Sequence, residues 1–157
     1  MFHNILLLCT GNICRSPMAE ALLRERLYGN ADTAISSAGT GALVGVPADP
    51  LAVEVAGRYG FDLAGHRGRQ ANPALLTAAD LILVMTRHHG EWVHDRLPAL
   101  RGRVQLIGRW RDLEVEDPYQ RPRAVFERVF EQLDDCVADW VPRLLKKGPQ
   151  DAERDEL

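Results

Sequence analysis

Ile5-Leu6-Leu7-Leu8-Cys9-Thr10-Gly11-Asn12-Ile13-Cys14-Arg15-Ser16-Pro17 decides the fold. Its first half is an unbroken apolar run, the pattern of a strand buried on both faces. Its second half reads as a tight loop ending at a helix start, with Ser16 as N-cap and Pro17 at the first helical position. Met18, Ala21, Leu22 and Leu27 then recur on one helical face as far as Gly29. Strand-like and helix-like segments alternate from there on. A second strand is expected over residues 34–38, and Asp49-Pro50 opens a helix that Gly60 closes. Asn72-Pro73 opens a short helix before the strand 81–85. A helix through Trp92 leads to a fourth strand, 104–107. The final helix runs from about Arg123 to Leu145, with Val125, Phe126, Val129, Phe130, Leu133, Val137, Trp140, Val141 and Leu144 at helical spacing and Pro142 kinking its last turn. Repeated strand–helix units predict one α/β domain over residues 1–147. It is a three-layer sandwich whose four-stranded parallel, twisted sheet carries helices on both faces. A polar tail over 148–157 follows, expected to fray.

Composition narrows the function. The 157 residues carry 19 Lys and Arg against 22 Asp and Glu, a net charge of −3, so no basic surface for nucleic acid is expected. Apolar runs such as residues 5–9 are far too short to cross a bilayer, which argues against membrane insertion. Three cysteines, an odd count, point to free thiols in a reducing cytoplasm.

In a doubly wound sheet, ligands bind at the carboxyl ends of the strands, where strand order reverses. The loop after the first strand is therefore the place to look for chemistry. Its backbone N–H groups can converge on one concavity, and the following helix points its positive end there. Gly11 and Asn12 tolerate the left-handed conformations a tight cradle needs. Arg15 can grip two oxygens with its planar fork. Cys9, at the floor, sits where positive potential favours a thiolate, and the Ser16 hydroxyl can donate to it. Such a site holds a nucleophilic sulfur against a tetrahedral dianion.

An unperturbed thiol at pH 7 is already a few per cent thiolate, so full ionisation gains only roughly thirtyfold, about 2 kcal/mol. Donors on the phosphoryl oxygens and a general acid, worth roughly 10²–10⁴-fold, must supply more. Glu116-Asp117-Pro118-Tyr119 offers the acid: Pro118 restricts Asp117 to extended backbone, Asp117 can protonate a leaving oxygen and then activate water, and Tyr119 can wall an aryl group. No metal or other cofactor is expected. His88, His89, Glu91 and His94 match no zinc spacing and read as a polar helix face. Cys136 reads as core, His66 as a structural hydrogen-bonder, and Arg67 and Arg69 equally as contacts to an acidic peptide or as solvated side chains.

Cys-x5-Arg-Ser after the first strand, with Asp-Pro-Tyr near residue 117, resembles the low-molecular-weight protein tyrosine phosphatases over nearly the whole chain. The resemblance implies Cys9 as nucleophile, Arg15 as phosphate clamp and Asp117 as acid and base. Thr10, Gly11, Asn12, Ile13, Cys14, Ser16, Thr40 and Tyr119 would bind substrate, and Ser37 and His66 would support the loop with Asn12 and Ser16. Cys14 would be the second thiol that captures an oxidised Cys9. Gly41-Ala42-Leu43-Val44-Gly45 and Gly65-His66-Arg67 look like a bacterial subgroup acting opposite tyrosine autokinases of capsule and exopolysaccharide export. The implied partner is thus a phosphotyrosine protein, and a monomer is the expected state. Gln120 stands where eukaryotic members have a second tyrosine, and the loop around Thr40 lacks their tryptophan. The alternative on the same fold is a thiol-coupled arsenate reductase, which needs a further cysteine pair where only Cys136 follows Cys14. A non-catalytic phosphopeptide-binding module is the third reading, and Asp117 tells against it.

Overall fold

The computed structural model describes residues 2–30 and 32–145, and the expected polar tail lies outside them. Four strands, β1 Asn4–Cys9, β2 Ala34–Gly39, β3 Leu81–Val84 and β4 Val104–Leu106, alternate with five α-helices. These are α1 Arg15–Arg26, α2 Pro50–Arg58, α3 Pro73–Ala78, α4 Arg87–Arg96 and α5 Arg123–Leu144. Every strand pair is parallel and the order is β2-β1-β3-β4. The reversal of strand order therefore falls between β1 and β3, beside the loop that leaves β1.

The alternation of strand side chains sorts the core into two layers. Ile5, Leu7 and Cys9 pack with Met18 and Leu22 of α1, Val55 of α2, and Phe126 and Phe130 of α5. Leu6 and Leu8 face the other way, onto Leu76 of α3 and Val93 of α4. This is the three-layer sandwich that the segment pattern predicts, and Cys136 lies in its core. No helix among the described residues is long and apolar enough to cross a membrane.

Two helix starts follow the cap-then-proline signal: Asp49 accepts the Leu51 N–H and Asn72 the Leu75 N–H, both at 2.9 Å. The first helix departs from it. It begins at Arg15 with Cys14 as N-cap, so Ser16 is not the cap and Pro17 is the third helical residue. Proline is tolerated there because first-turn N–H groups have no intrahelical acceptor. The Ser16 hydroxyl is committed elsewhere, to Cys9 and Asn12. Strand β3 stops one residue early, and the Met85 carbonyl instead accepts the Val115 N–H at 2.9 Å. That bond ties the segment carrying Asp117 to the end of the central sheet. Helix α5 runs through Pro142 to Leu144, and the Trp140 indole fastens it to the Ile107 carbonyl at 2.9 Å.

Candidate active site

From Cys9 to Ile13 the outer wall of the loop consumes every carbonyl in turn. Thr40 N–H donates to Cys9 O at 2.9 Å, Gly41 N–H to Thr10 O at 3.0 Å and Leu43 N–H to Gly11 O at 3.0 Å. His66 Nε2 donates to Asn12 O at 2.6 Å, and Asp49 N–H to Ile13 O at 2.9 Å. Among the described residues no peptide bond is cis. In a planar trans peptide the next N–H points opposite to the carbonyl, so five successive amides, of residues 10 to 14, turn away from that wall and towards the pocket. Such a run is an anion-binding nest, and the uncapped N-terminus of α1 adds its positive end.

Asn12 makes the curve possible. Its φ of 60° is left-handed, which asparagine tolerates better than most residues. Its buried side chain donates to Ser16 Oγ at 2.8 Å and Ser37 Oγ at 3.0 Å, and accepts the Arg69 N–H at 2.8 Å. Ser16 Oγ lies 2.9 Å from Cys9 Sγ. Donating to Ser16, Asn12 leaves the Ser16 proton free to point at the sulfur. Gly39 is required where the wall meets the loop, since a Cβ there would stand 2.2 Å from the Thr10 carbonyl oxygen.

The pocket is lined by residues 9 to 15, with Gly41, Leu43, Asp117 and Tyr119 at its sides. Arg15 is buried, yet its guanidinium spans the space: Nη1 donates to Val115 O at 3.0 Å and Nη2 reaches Thr10 Oγ1 at 3.4 Å and Asp117 Oδ2 at 3.7 Å. The Asp117 side chain is half exposed, and its Oδ1 accepts the Tyr119 N–H at 3.1 Å, so aromatic and carboxylate are set by one turn. Cys14 shares the pocket; burial pushes its thiol well above the ordinary range, and the Asp49 and Asp117 charges push the same way. It therefore stays protonated beside Cys9. Ser37 and His66 stand behind the loop. Thr40 and Ser16 are not among the lining residues: Thr40 supports Cys9 through its backbone, and Ser16 sits behind the sulfur.

Two further side chains, both outside the pocket lining, hold places that the sequence reading did not assign them. His89 is no part of a polar helix face; it is buried, with Nε2 at 2.9 Å from Thr10 Oγ1. Burial holds it down at about 4, with the Arg15 and His88 charges helping and Asp117 opposing. Arg69 is exposed but not free: its N–H holds Asn12 and its Nε donates to Ser37 O at 3.2 Å. Arg67 is turned onto the Ala64 and His66 carbonyls.

A nest, a sulfur on its floor, a guanidinium across it and a carboxylate at its mouth are suited to displacement at a phosphoryl centre. Comparison with known proteins meets this geometry. The family profile described as low molecular weight phosphotyrosine protein phosphatase matches residues 4–150. The probable low molecular weight protein-tyrosine-phosphatase EpsP of Ralstonia nicotianae is 44% identical over 148 residues, which cover 94% of this chain and all of that one. The low molecular weight protein-tyrosine-phosphatase Wzb of Escherichia coli strain K12 is 42% identical over 145 residues, 92% of this chain and 97% of its own. The crystal structure of the tyrosine phosphatase Wzb from Escherichia coli K30 in complex with sulphate superposes with a TM-score of 0.86 at 43% identity, covering 92% of this chain and 99% of that one. With fold, loop and sequence agreeing over almost the full length, the chain belongs to the low molecular weight phosphotyrosine protein phosphatases.

Proposed function

We propose that the enzyme hydrolyses phosphotyrosine on a protein substrate through a cysteinyl-phosphate intermediate, without a metal. The observation that carries this reading is the run of five inward amides around the Cys9 sulfur. The amides and the Arg15 fork bind the phosphoryl oxygens and gain strength as charge spreads over them in transfer. Cys9 attacks phosphorus as the thiolate, and the S–P bond forms as the bond to the tyrosyl oxygen breaks. Asp117, at the pocket mouth, gives its proton to that leaving oxygen. It then takes one from the water that attacks phosphorus, which returns Cys9 as thiolate and releases inorganic phosphate. Ser16 donates to the sulfur in both steps. Gly41, Leu43 and Tyr119 flank the aryl ring.

The partner we infer is a bacterial tyrosine autokinase of capsule or exopolysaccharide synthesis. The likeness of the 41–45 and 65–67 segments to the bacterial subgroup and the similarity to EpsP and Wzb support it; Gly41 and Leu43 of the first segment line the pocket, and His66 of the second holds the loop. A cysteine spent as a thiolate also requires a reducing compartment, hence the cytoplasm. Cys14, in the same pocket, is the thiol in place to capture a Cys9 sulfenic acid as a disulfide with loss of water, a step for which it must first give up the proton that burial holds on it. An arsenate reductase relay gains no support: Cys136, the remaining thiol, is buried on α5 and pushed up to about 11 by that burial.

The test is phosphate release from a phosphotyrosine autokinase tail peptide and from a phosphoserine peptide, with chelator present. Turnover of the first alone, abolished in Cys9→Ser, is expected. Turnover that survives Cys9→Ser or needs a divalent ion would overturn the reading.

A further inference from the structure

Thr10 is one of the residues lining the pocket, and the groups around its hydroxyl fix what that hydroxyl can do. Thr86 N–H donates to His89 Nδ1 at 3.2 Å. A backbone N–H is only a donor, so Nδ1 carries no proton and the neutral ring bears its proton on Nε2. Nε2 lies 2.9 Å from Thr10 Oγ1 and must donate to it. Arg15 Nη2, also only a donor, reaches the same oxygen at 3.4 Å. Both lone pairs of the threonine oxygen are then taken, and its own proton is left over.

We propose that His89 is a positioning residue of the anion site: through the Thr10 hydroxyl it steadies the Arg15 fork and leaves the hydroxyl proton for an oxyanion bound in the loop. The inference rests on the anion-site reading above and deepens it. The arrangement starts at the first turn of α4, where His89 takes the position that glutamate or glutamine holds in a capping box. One helix start thus reaches across β3 to the loop after β1. A protonated His89 would keep its Nε2 donor but lose the Thr86 N–H at Nδ1, where the Thr86 hydroxyl at 3.2 Å would be the acceptor instead, so the Thr86 N–H needs the neutral ring. The low proton affinity of the buried imidazole, beside Arg15 and His88 and opposed by Asp117, meets that need.

The experiment is a double-mutant cycle with Thr10→Val and His89→Asn, read by kcat/KM on an aryl phosphate and, independently of turnover, by the Kd for inorganic phosphate. Each single change is expected to lower kcat/KM about tenfold and to weaken phosphate binding severalfold. The double variant should be no worse than Thr10→Val, because His89 acts only through the hydroxyl. His89→Gln, which keeps a donor near Nε2, should recover most of the loss. Losses that multiply in the double variant, or a His89→Asn protein equal to wild type in both readouts, would overturn the proposal. If His89→Asn fails to fold, Thr10→Ser and Thr10→Val decide: recovery by serine but not valine supports the relay, and equal activity of both sinks it. Since phosphate binding is read apart from turnover, a failure of the cysteinyl-phosphate reading (turnover surviving Cys9→Ser) stays distinct from a failure of the relay.

Discussion

Asn12 is the residue on which the loop turns, and its side chain makes three hydrogen bonds at full burial. Asn12→Ala would leave the Arg69 N–H without its acceptor, leave Ser16 and Ser37 each short of a donor, and put at a φ of 60° a residue without asparagine's tolerance of left-handed backbone. Unsatisfied buried groups cost about 1–3 kcal/mol each. A loss of about 3 kcal/mol or more in denaturant unfolding is expected, with activity falling further than stability alone would explain. Asp117→Asn keeps the shape but removes the transferable proton. It should lower kcat roughly 10²–10⁴-fold on an unactivated aryl phosphate. The loss should shrink on substrates whose leaving group needs no proton, which steady-state kinetics on a leaving-group series would measure. The residues of the loop after β1 were legible because loop chemistry restricts their types: a left-handed asparagine, a planar fork, a cysteine at the floor. His89 was not. The α4 sequence is polar nearly all round, RHHGEWVHDR, so no apolar stripe marks which of its histidines turns inward. Arg69 was missed for another reason: its backbone N–H serves the loop, and no side-chain pattern reports that.

At the scale of elements, β1 and the loop it launches depend on β2 as closely as on α1. Gly39 ends β2 within van der Waals distance of the loop backbone, and a methyl there would meet the Thr10 carbonyl at 2.2 Å. Gly39→Ala must therefore displace the loop or the 39–43 wall. Activity on an aryl phosphate is expected to fall at least a hundredfold while the far-UV circular dichroism keeps its α/β shape. Retention of full activity would mean the wall yields without moving the amides. Most element bounds were readable from the apolar runs and the Asp-Pro and Asn-Pro starts. The start of α1 was not, because Ser-Pro is an ordinary helix opening and here the serine hydroxyl is spent on the sulfur instead. A side chain that sequence statistics assign to capping was claimed by the site.

For the whole molecule, acid is the informative variable. The unfolded chain's histidine takes up a proton near pH 6.5, whereas His89 in the folded protein does so at about 4. Between those values the unfolded state binds one proton more, so this group's contribution is complete above about pH 6.5 and is lost as pH falls towards 4. Urea midpoints should drop between pH 7 and 5 in the wild type, and more shallowly in His89→Gln, which has nothing to titrate there. Parallel slopes would assign the acid sensitivity to other groups. The bond from Arg15 Nη1 to the Val115 carbonyl has a wider consequence. Val115 lies two residues before Asp117 and hangs from the end of β3, so the guanidinium is also the rivet between two separately anchored arms of the catalytic machinery. Swapping it for lysine would unfasten the arm bearing Asp117 while weakening the proposed grip on the dianion, and the kinetic penalty would be the sum of two injuries rather than a gauge of charge.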